Sequence, residues 1–319
     1  MGDKANTLRM LNRLEESFAL FEAALVLGRQ VFTRDSDDLL VLEENMARTL
    51  SELGNHEEAA EVFKRCIKAR ERSPRYGPSH ETTWSDRASL GRALVELGRF
   101  SEAVPLLRDS LAAYDGMGLG QEHPQLGVIP QQYGKALLGA GQPAAAVPMF
   151  ERSIAFHEHK FGLHHEHIPE NLLDIAEAFK QMGRGIDERL PLLDRAVAIR
   201  DLSSGWEKDR NEAGLAQALQ IAAECCEEAG HLAGAEARWA KCVAAATKVS
   251  ACVESDDGEP DKPLDAVSKS YVHSSAVCLL RHPCLIKFEC GPTIVQAYGS
   301  DHPYSQLASS RLEALRRFA

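Results

Sequence analysis

Five glycines recur at near-constant spacing through this chain: Gly54, Gly98, Gly141, Gly183 and Gly230, separated by 44, 43, 42 and 47 residues. Each stands in a like context: SELGNHEEA, VELGRFSEA, LGAGQPAAA, KQMGRGIDE and EEAGHLAGA. Nine positions after the glycine comes a large apolar residue (Phe63, Leu107, Phe150, Trp239), with Leu193 one position late. Four residues before it lies a small one, at Ala59, Ala103, Ala146 and Ala235. Seven residues before the glycine stand Ala47, Gly91, Gly134, Ala176 and Ala223, all small. Self-similarity at a period of roughly 20–50 residues marks a repeat architecture, in which each unit is one supersecondary element.

The register has a physical meaning. A helix A ends at the glycine, which supplies the left-handed backbone conformation without a Cβ penalty, and a helix B follows. Small residues on A facing alanines on B let the two axes approach at the short end of the usual helix-packing distance. The large apolar residue fills the space beside that contact. One hairpin cannot bury its own core, so neighbouring hairpins must stack. An all-α solenoid is expected.

The residues resemble the tetratricopeptide (TPR) signature, W-x2-L-G-x2-Y followed by A-x3-F. The match is clearest in Leu90-Gly91-x2-Leu94 with Ala103-x3-Leu107, and in Tyr133-Gly134-x2-Leu137 with Ala146-x3-Phe150. The period is longer than the ordinary one of about 34 residues, and the extra residues lie between units. There a related string recurs: YGPSHET, GLGQEHPQL, FGLHHEHIP and YGSDHPYS, with His80, His123, His167 and His302 as its histidines. This combination is similar to the kinesin light chain subclass of these repeats, over roughly residues 12–318. The resemblance implies a right-handed α-α superhelical solenoid of TPR helix hairpins whose work is to bind other proteins.

Both ends depart from the pattern. Residues 1–35 read as a partial repeat, because Ser17-x3-Phe21-x2-Ala24 fits helix B and leaves few residues for helix A. Five TPR-like repeats fill 36–249, a breaker-rich loop spans 250–263, and a degenerate repeat with a capping helix spans 264–319. In that last stretch Gly291-Pro292 falls inside the expected helix B, where proline breaks the helix.

Composition narrows the function classes. A net charge of −11 argues against nucleic acid as partner, since phosphate binding needs a basic surface. No apolar run approaches the length of a membrane span, and the N-terminus lacks the layout of a secretory signal. The eight cysteines form no CxxC pair and are expected as reduced thiols in the cytoplasm. Cys66, Cys226 and Cys242 fall at core positions of the repeat.

His157, His159, His164, His165 and His167 crowd together, as do Cys278, Cys284 and Cys290 with His273 and His282. Neither group has the ligand spacing of a zinc site, and the histidines are expected as surface or linker residues. There is no phosphate loop, nucleophile elbow or HExxH, and the GMGLG run at 116–120 lacks the strand that precedes a dinucleotide loop. No cofactor, metal or enzymatic activity is expected.

What remains is the face that helix A turns to the inside of a superhelix. Six residues before each glycine the chain reads Arg48, Arg92, Lys135, Glu177 and Glu224. Neighbouring positions add Asn45, then Gln131 and Gln132, then Asp174, Lys180, Gln220 and Glu228. A groove basic early and acidic late is expected, fitted to a protein or peptide with a mixed-charge segment. The expected function is a scaffold or adaptor that binds such a partner, or is itself a member of a multi-subunit complex. The alternative is a structural spacer in a larger cytoskeletal or ciliary assembly, docking through its ends and convex face.

Overall fold

The structure, a computed structural model, describes residues 1–33, 36–118, 123–202 and 208–231, together with Gly234, Ala235, Ala237, Arg238 and Lys241. The expected breaker-rich loop at 250–263, the degenerate repeat at 264–319, and Trp239, Cys242, Cys278, Cys284 and Cys290 lie outside the described residues. All regular structure among the described residues is helical. The chain divides into two compact units, Met1–Lys160 and one that begins at Phe161.

The first unit is a run of antiparallel hairpins. Helix α1 (Gly2–Met10) pairs with α2 (Leu14–Val31), α3 (Asp37–Glu52) with α4 (His56–Arg72), and α5 (Glu81–Glu96) with α6 (Phe100–Gly116). Helix α7 (Gln125–Gly139) pairs with α8 (Pro143–Phe161), where the Ser153 hydroxyl donates to the Gly127 carbonyl at 2.9 Å. In the second unit α9 (His167–Gln181) packs on α10 (Ile186–Leu202), which packs on α11 (Lys208–Glu228).

The end of each A helix is built alike. Gly54, Gly98, Gly141, Gly183 and Gly230 all have φ between +70° and +85°. The residue after each donates its N–H back five positions: Asn55 to Leu50, Arg99 to Leu94, Gln142 to Leu137, Arg184 to Phe179 and His231 to Cys226. This is the Schellman bond that satisfies a carbonyl the helix would otherwise leave orphaned.

The same device closes α1, with asparagine in place of glycine. Asn12 has φ +58°, and Arg13 donates to the Leu8 carbonyl at 2.9 Å. Asparagine is the next best residue in the left-handed region. Asn12 precedes Gly54 by 42 residues, and the rest of the register follows: Ala5 and Phe21 are both fully buried. The expected partial repeat is thus a hairpin in full register with a short first helix.

Phe21, Phe63, Leu107 and Phe150 are large residues fully buried on the B helices of the first unit, as Leu193 is in the second. Each contributes about 1.5–3 kcal/mol on burial. The large residue, not the alanine, makes the closest contact with the small residue of helix A. A Cβ placed on Gly91 would lie 2.7 Å from Leu107, and one on Gly134 would lie 2.6 Å from the Phe150 ring. Pro105, Pro148 and Pro191 are each the sixth residue of a B helix and all are exposed.

The linker histidines start the A helices. Nδ1 of His80 accepts from the Thr82 N–H at 3.2 Å, and Nδ1 of His123 from the Gln125 N–H at 3.3 Å. In the next linker the ring that does this is His165, accepting from His167 at 3.4 Å. His165 also stacks on Phe161, as His80 packs edge-on against Tyr76. The linker position therefore belongs to His165 and not to His167, because it is the His165 ring that accepts from the backbone two residues on, as His80 and His123 do.

Candidate partner-binding face

In the first unit, successive odd-numbered helices adjoin one another: α1 with α3, α3 with α5, and α5 with α7. The even-numbered helices meet their own kind at most marginally. The odd-numbered helices of this unit therefore adjoin one another along one side. All of the residues expected to bind a partner lie on odd-numbered helices: Asn45 and Arg48 on α3, Arg92 on α5, and Gln131, Gln132 and Lys135 on α7. In the second unit Asp174, Glu177 and Lys180 lie on α9, and Gln220, Glu224 and Glu228 on α11.

The three cations of the first unit differ in what holds them. Arg48 donates to Glu44 Oε1 at 2.6 Å and to Ser85 Oγ at 3.2 Å. Ser85 Oγ also receives Nε2 of Gln125 at 3.4 Å, so one hydroxyl links α3, α5 and α7. Arg92 is half-buried, and neither it nor Lys135 has a hydrogen-bond or ion-pair partner among the described residues. Burial pulls the Arg92 guanidinium below the ordinary arginine range. Arg48 and Arg9 add to that shift, and Glu52 and Glu96 oppose it. Gln131 is buried, while Gln132 is half-exposed with its Oε1 enclosed and unbonded.

Sequence reading missed the first step of this register. With Asn12 as the terminator, the equivalent of Arg48 is Asn6, whose Oδ1 accepts from Arg9 Nη2 at 3.0 Å. Arg9 also bridges to Glu52 at 2.6 Å, adding a third arginine to the neighbourhood of Arg92. The signal was the sequence ANTLRMLNR, which matches the later helix ends once asparagine is admitted.

Beneath this face lies a charge network that the sequence did not announce. Arg70 of α4 is fully buried and bridges Glu44 at 2.6 Å and Asp86 at 2.7 Å. Glu44 in turn holds Arg48. Burial pushes the Asp86 carboxyl up to about 8, with Glu44 adding to the shift and Arg70 and Arg48 opposing it.

In the second unit most expected residues are engaged with one another. Lys180 and Arg189 both pair with Glu228, the latter at 3.0 Å. The hydrogen bond from Lys180 holds the Glu228 carboxyl below its usual range and raises the Lys180 ammonium in return. Glu177 accepts from Gln181 at 3.2 Å, and Glu224 from Gln220 at 3.1 Å. Asp174 is half-buried.

The other candidate chemistry is placed plainly. His157 is buried, with Nδ1 on the Ser153 carbonyl at 2.8 Å, whereas His159, His164 and His167 are exposed. Among the described residues no three His, Cys, Asp or Glu groups gather as a metal would require. Cys66 is buried, and that burial pushes its thiol up, away from the reactive thiolate.

Residues 1–72 and 87–114 match models of the tetratricopeptide repeat. Over those two stretches the chain resembles tetratricopeptide repeats. Its repeats resemble the kinesin light chain-like form: the TPR-like repeats of a Podosopora anserina kinesin light chain protein align at TM-score 0.51 and 21% identity, over 64% of this chain and 95% of that one. BtubC (BKLC) from P. vanneervenii aligns at TM-score 0.60 and 16% identity, over 79% of this chain and 96% of that one. These likenesses establish the fold. No curated protein sequence matches the chain. Such repeats are in general protein-interaction scaffolds, and the fold is typically non-enzymatic. No helix among the described residues is long and apolar enough to cross a membrane.

Proposed function

We propose that this chain is an adaptor that holds a segment of a partner protein against the odd-numbered helices, with no catalytic role. The observation that carries this reading is the half-buried Arg92 guanidinium, left without a partner among the described residues beside Arg48. A cation that has lost part of its hydration and gained no carboxylate is unfavourable, and a carboxylate from outside relieves it. Arg92 and Lys135 would take the acidic part of a mixed-charge segment. Charges of this kind set orientation and association rate more than raw affinity. The buried thiols of Cys66, Cys225 and Cys226 suit a reducing compartment such as the cytoplasm.

The test is charge reversal. Arg92→Glu with Lys135→Glu should abolish capture of the partner from lysate while leaving the helical circular dichroism unchanged. Undiminished capture by the double variant would contradict the proposal.

A second reading, end-on docking as a spacer, is favoured by one observation. Met10, Leu11, Val26, Leu27 and Val31 are all exposed on the first hairpin, an apolar set open to a partner. On that reading, loss of residues 1–31 stops assembly and the Arg92 and Lys135 reversal does nothing.

A further inference from the structure

The run KRCIKARERSPR, residues 64–75, holds six cations and one carboxylate in a chain whose net charge is −11. Its helix, α4, buries Phe63, Cys66, Ile67 and Arg70 and turns Arg65, Lys68 and Arg72 to solvent. Those three recur at helical spacing, so they share one face.

That face borders a cleft. One end is lined by Arg29, Phe32, Leu39, Glu43 and Arg65, and the adjoining part by Leu40, Lys68, Ala69, Arg72, Ser73 and Pro74. Its lining mixes polar and apolar groups, and its rim carries four cations, Arg29, Arg65, Lys68 and Arg72. The one lining carboxylate, Glu43, is divided between Arg29 and Arg65, each at 3.3 Å. Lys68 and Arg72 have no ion-pair partner among the described residues. Phe32 remains 42% exposed at the end lined by Arg29. On α3, Glu43 lies five residues from Arg48, about 140° around the helix, so this cleft is distinct from the face of Arg48.

We propose that this cleft is a second docking site, for an acidic segment of a partner protein carrying an aliphatic side chain. The aliphatic group covers Phe32 and Ala69, and the flanking carboxylates pair with Lys68 and Arg72. An excess of three cations over carboxylates at the rim disfavours basic and neutral segments alike. An adaptor with two sites of separate chemistry can hold two partners, or two segments of one partner.

The experiment is fluorescence anisotropy on the full chain with a fluorescein-labelled peptide, Asp-Glu-Leu-Leu-Glu-Asp, and its amide counterpart, Asn-Gln-Leu-Leu-Gln-Asn. The acidic peptide should bind and the amide peptide should not. Lys68→Glu with Arg72→Glu should weaken binding by roughly tenfold or more, and Lys68→Gln with Arg72→Gln by less. The loss from Lys68→Glu with Arg72→Glu should be found equally in a chain that already carries Arg92→Glu with Lys135→Glu, which separates this site from the face of Arg92 and Lys135. Lys68 and Arg72 are both exposed, and melting curves establish that the variants fold. The proposal is overturned if neither peptide binds or if the amide peptide binds as well. It is overturned equally if the Lys68 and Arg72 reversal has no effect in that chain. Capture by phosphatidylserine vesicles that depends on Lys68 and Arg72, without peptide binding, would assign the cleft to a lipid surface and also overturn it.

Discussion

Arg70 and Asp86 face each other at 2.7 Å with neither side chain exposed to solvent. The pair joins α4 to α5, and through Glu44 it reaches Arg48 on α3, so three helices of neighbouring repeats meet on one guanidinium. At the register position of Arg70 the following repeats carry Tyr114 and His157, both buried, and then Arg200, which pairs with Glu170 at 3.9 Å. The Arg70 junction is thus held by charge where those of Tyr114 and His157 are held by packing.

Removing one partner of such a network is costly. Arg70→Met leaves Glu44 and Asp86 enclosed without their cation, and should cost about 3–5 kcal/mol at pH 9, where Asp86 is ionised. Arg70→Met combined with Asp86→Leu should recover most of that loss, because a packed apolar pair is often as stable as a buried ion pair. Urea denaturation of the three proteins at pH 9 checks both statements.

The Asp86 carboxyl also sets a pH dependence. Its folded-state value near 8 stands above the ordinary 3.8, so between those limits the fold binds a proton that the unfolded chain releases. The stability from this group is full below about pH 4 and declines as pH rises through 8. Asp86→Asn should flatten the melting temperature between pH 5 and pH 9 relative to the parent chain. A parallel decline in both proteins would show that another group is responsible.

Asn12 offers a backbone test. It holds φ +58°, where a β-branched residue is strained and glycine is not. Asn12→Gly should be neutral or slightly stabilising, and Asn12→Val should cost about 1–2 kcal/mol. Hydrogen exchange in α1 and α2 should report the loss locally.

Close approach makes a fourth prediction. With Phe150 only 2.6 Å from where a Cβ would stand, Gly134→Ala should destabilise the first unit by about 1–3 kcal/mol. Phe150→Leu in the same chain should relieve part of that penalty, so the two changes together cost less than their sum.

Several of these features were legible in the sequence because backbone geometry restricts residue choice. A left-handed helix end admits few residues besides glycine, so Gly54, Gly98, Gly141, Gly183 and Gly230 marked the period directly. Asn12 was hidden because asparagine also serves in that conformation. His165 was mistaken for its neighbour because three histidines crowd one linker, and only the capping hydrogen bond distinguishes them. The Arg70 and Asp86 network left no pattern, since the register position of Arg70 holds the chemically unlike Tyr114 and His157 in the next two repeats. The register placed Arg48, Arg92 and Lys135 on adjoining helices. That Arg48 is tied to Glu44 while Arg92 is not depends on neighbours from other repeats, which periodicity does not report.

Photo-crosslinking tests most directly whether a partner lies on the odd-numbered helices. A benzophenone amino acid at Gln132 or Lys135 places the probe on the odd-numbered helices, and one at Pro105 or Pro148 places it on the exposed side of the B helices. The expected result is partner adducts from Gln132 and Lys135 and none from Pro105 or Pro148. Adducts only from the B-helix positions would contradict binding on the odd-numbered helices.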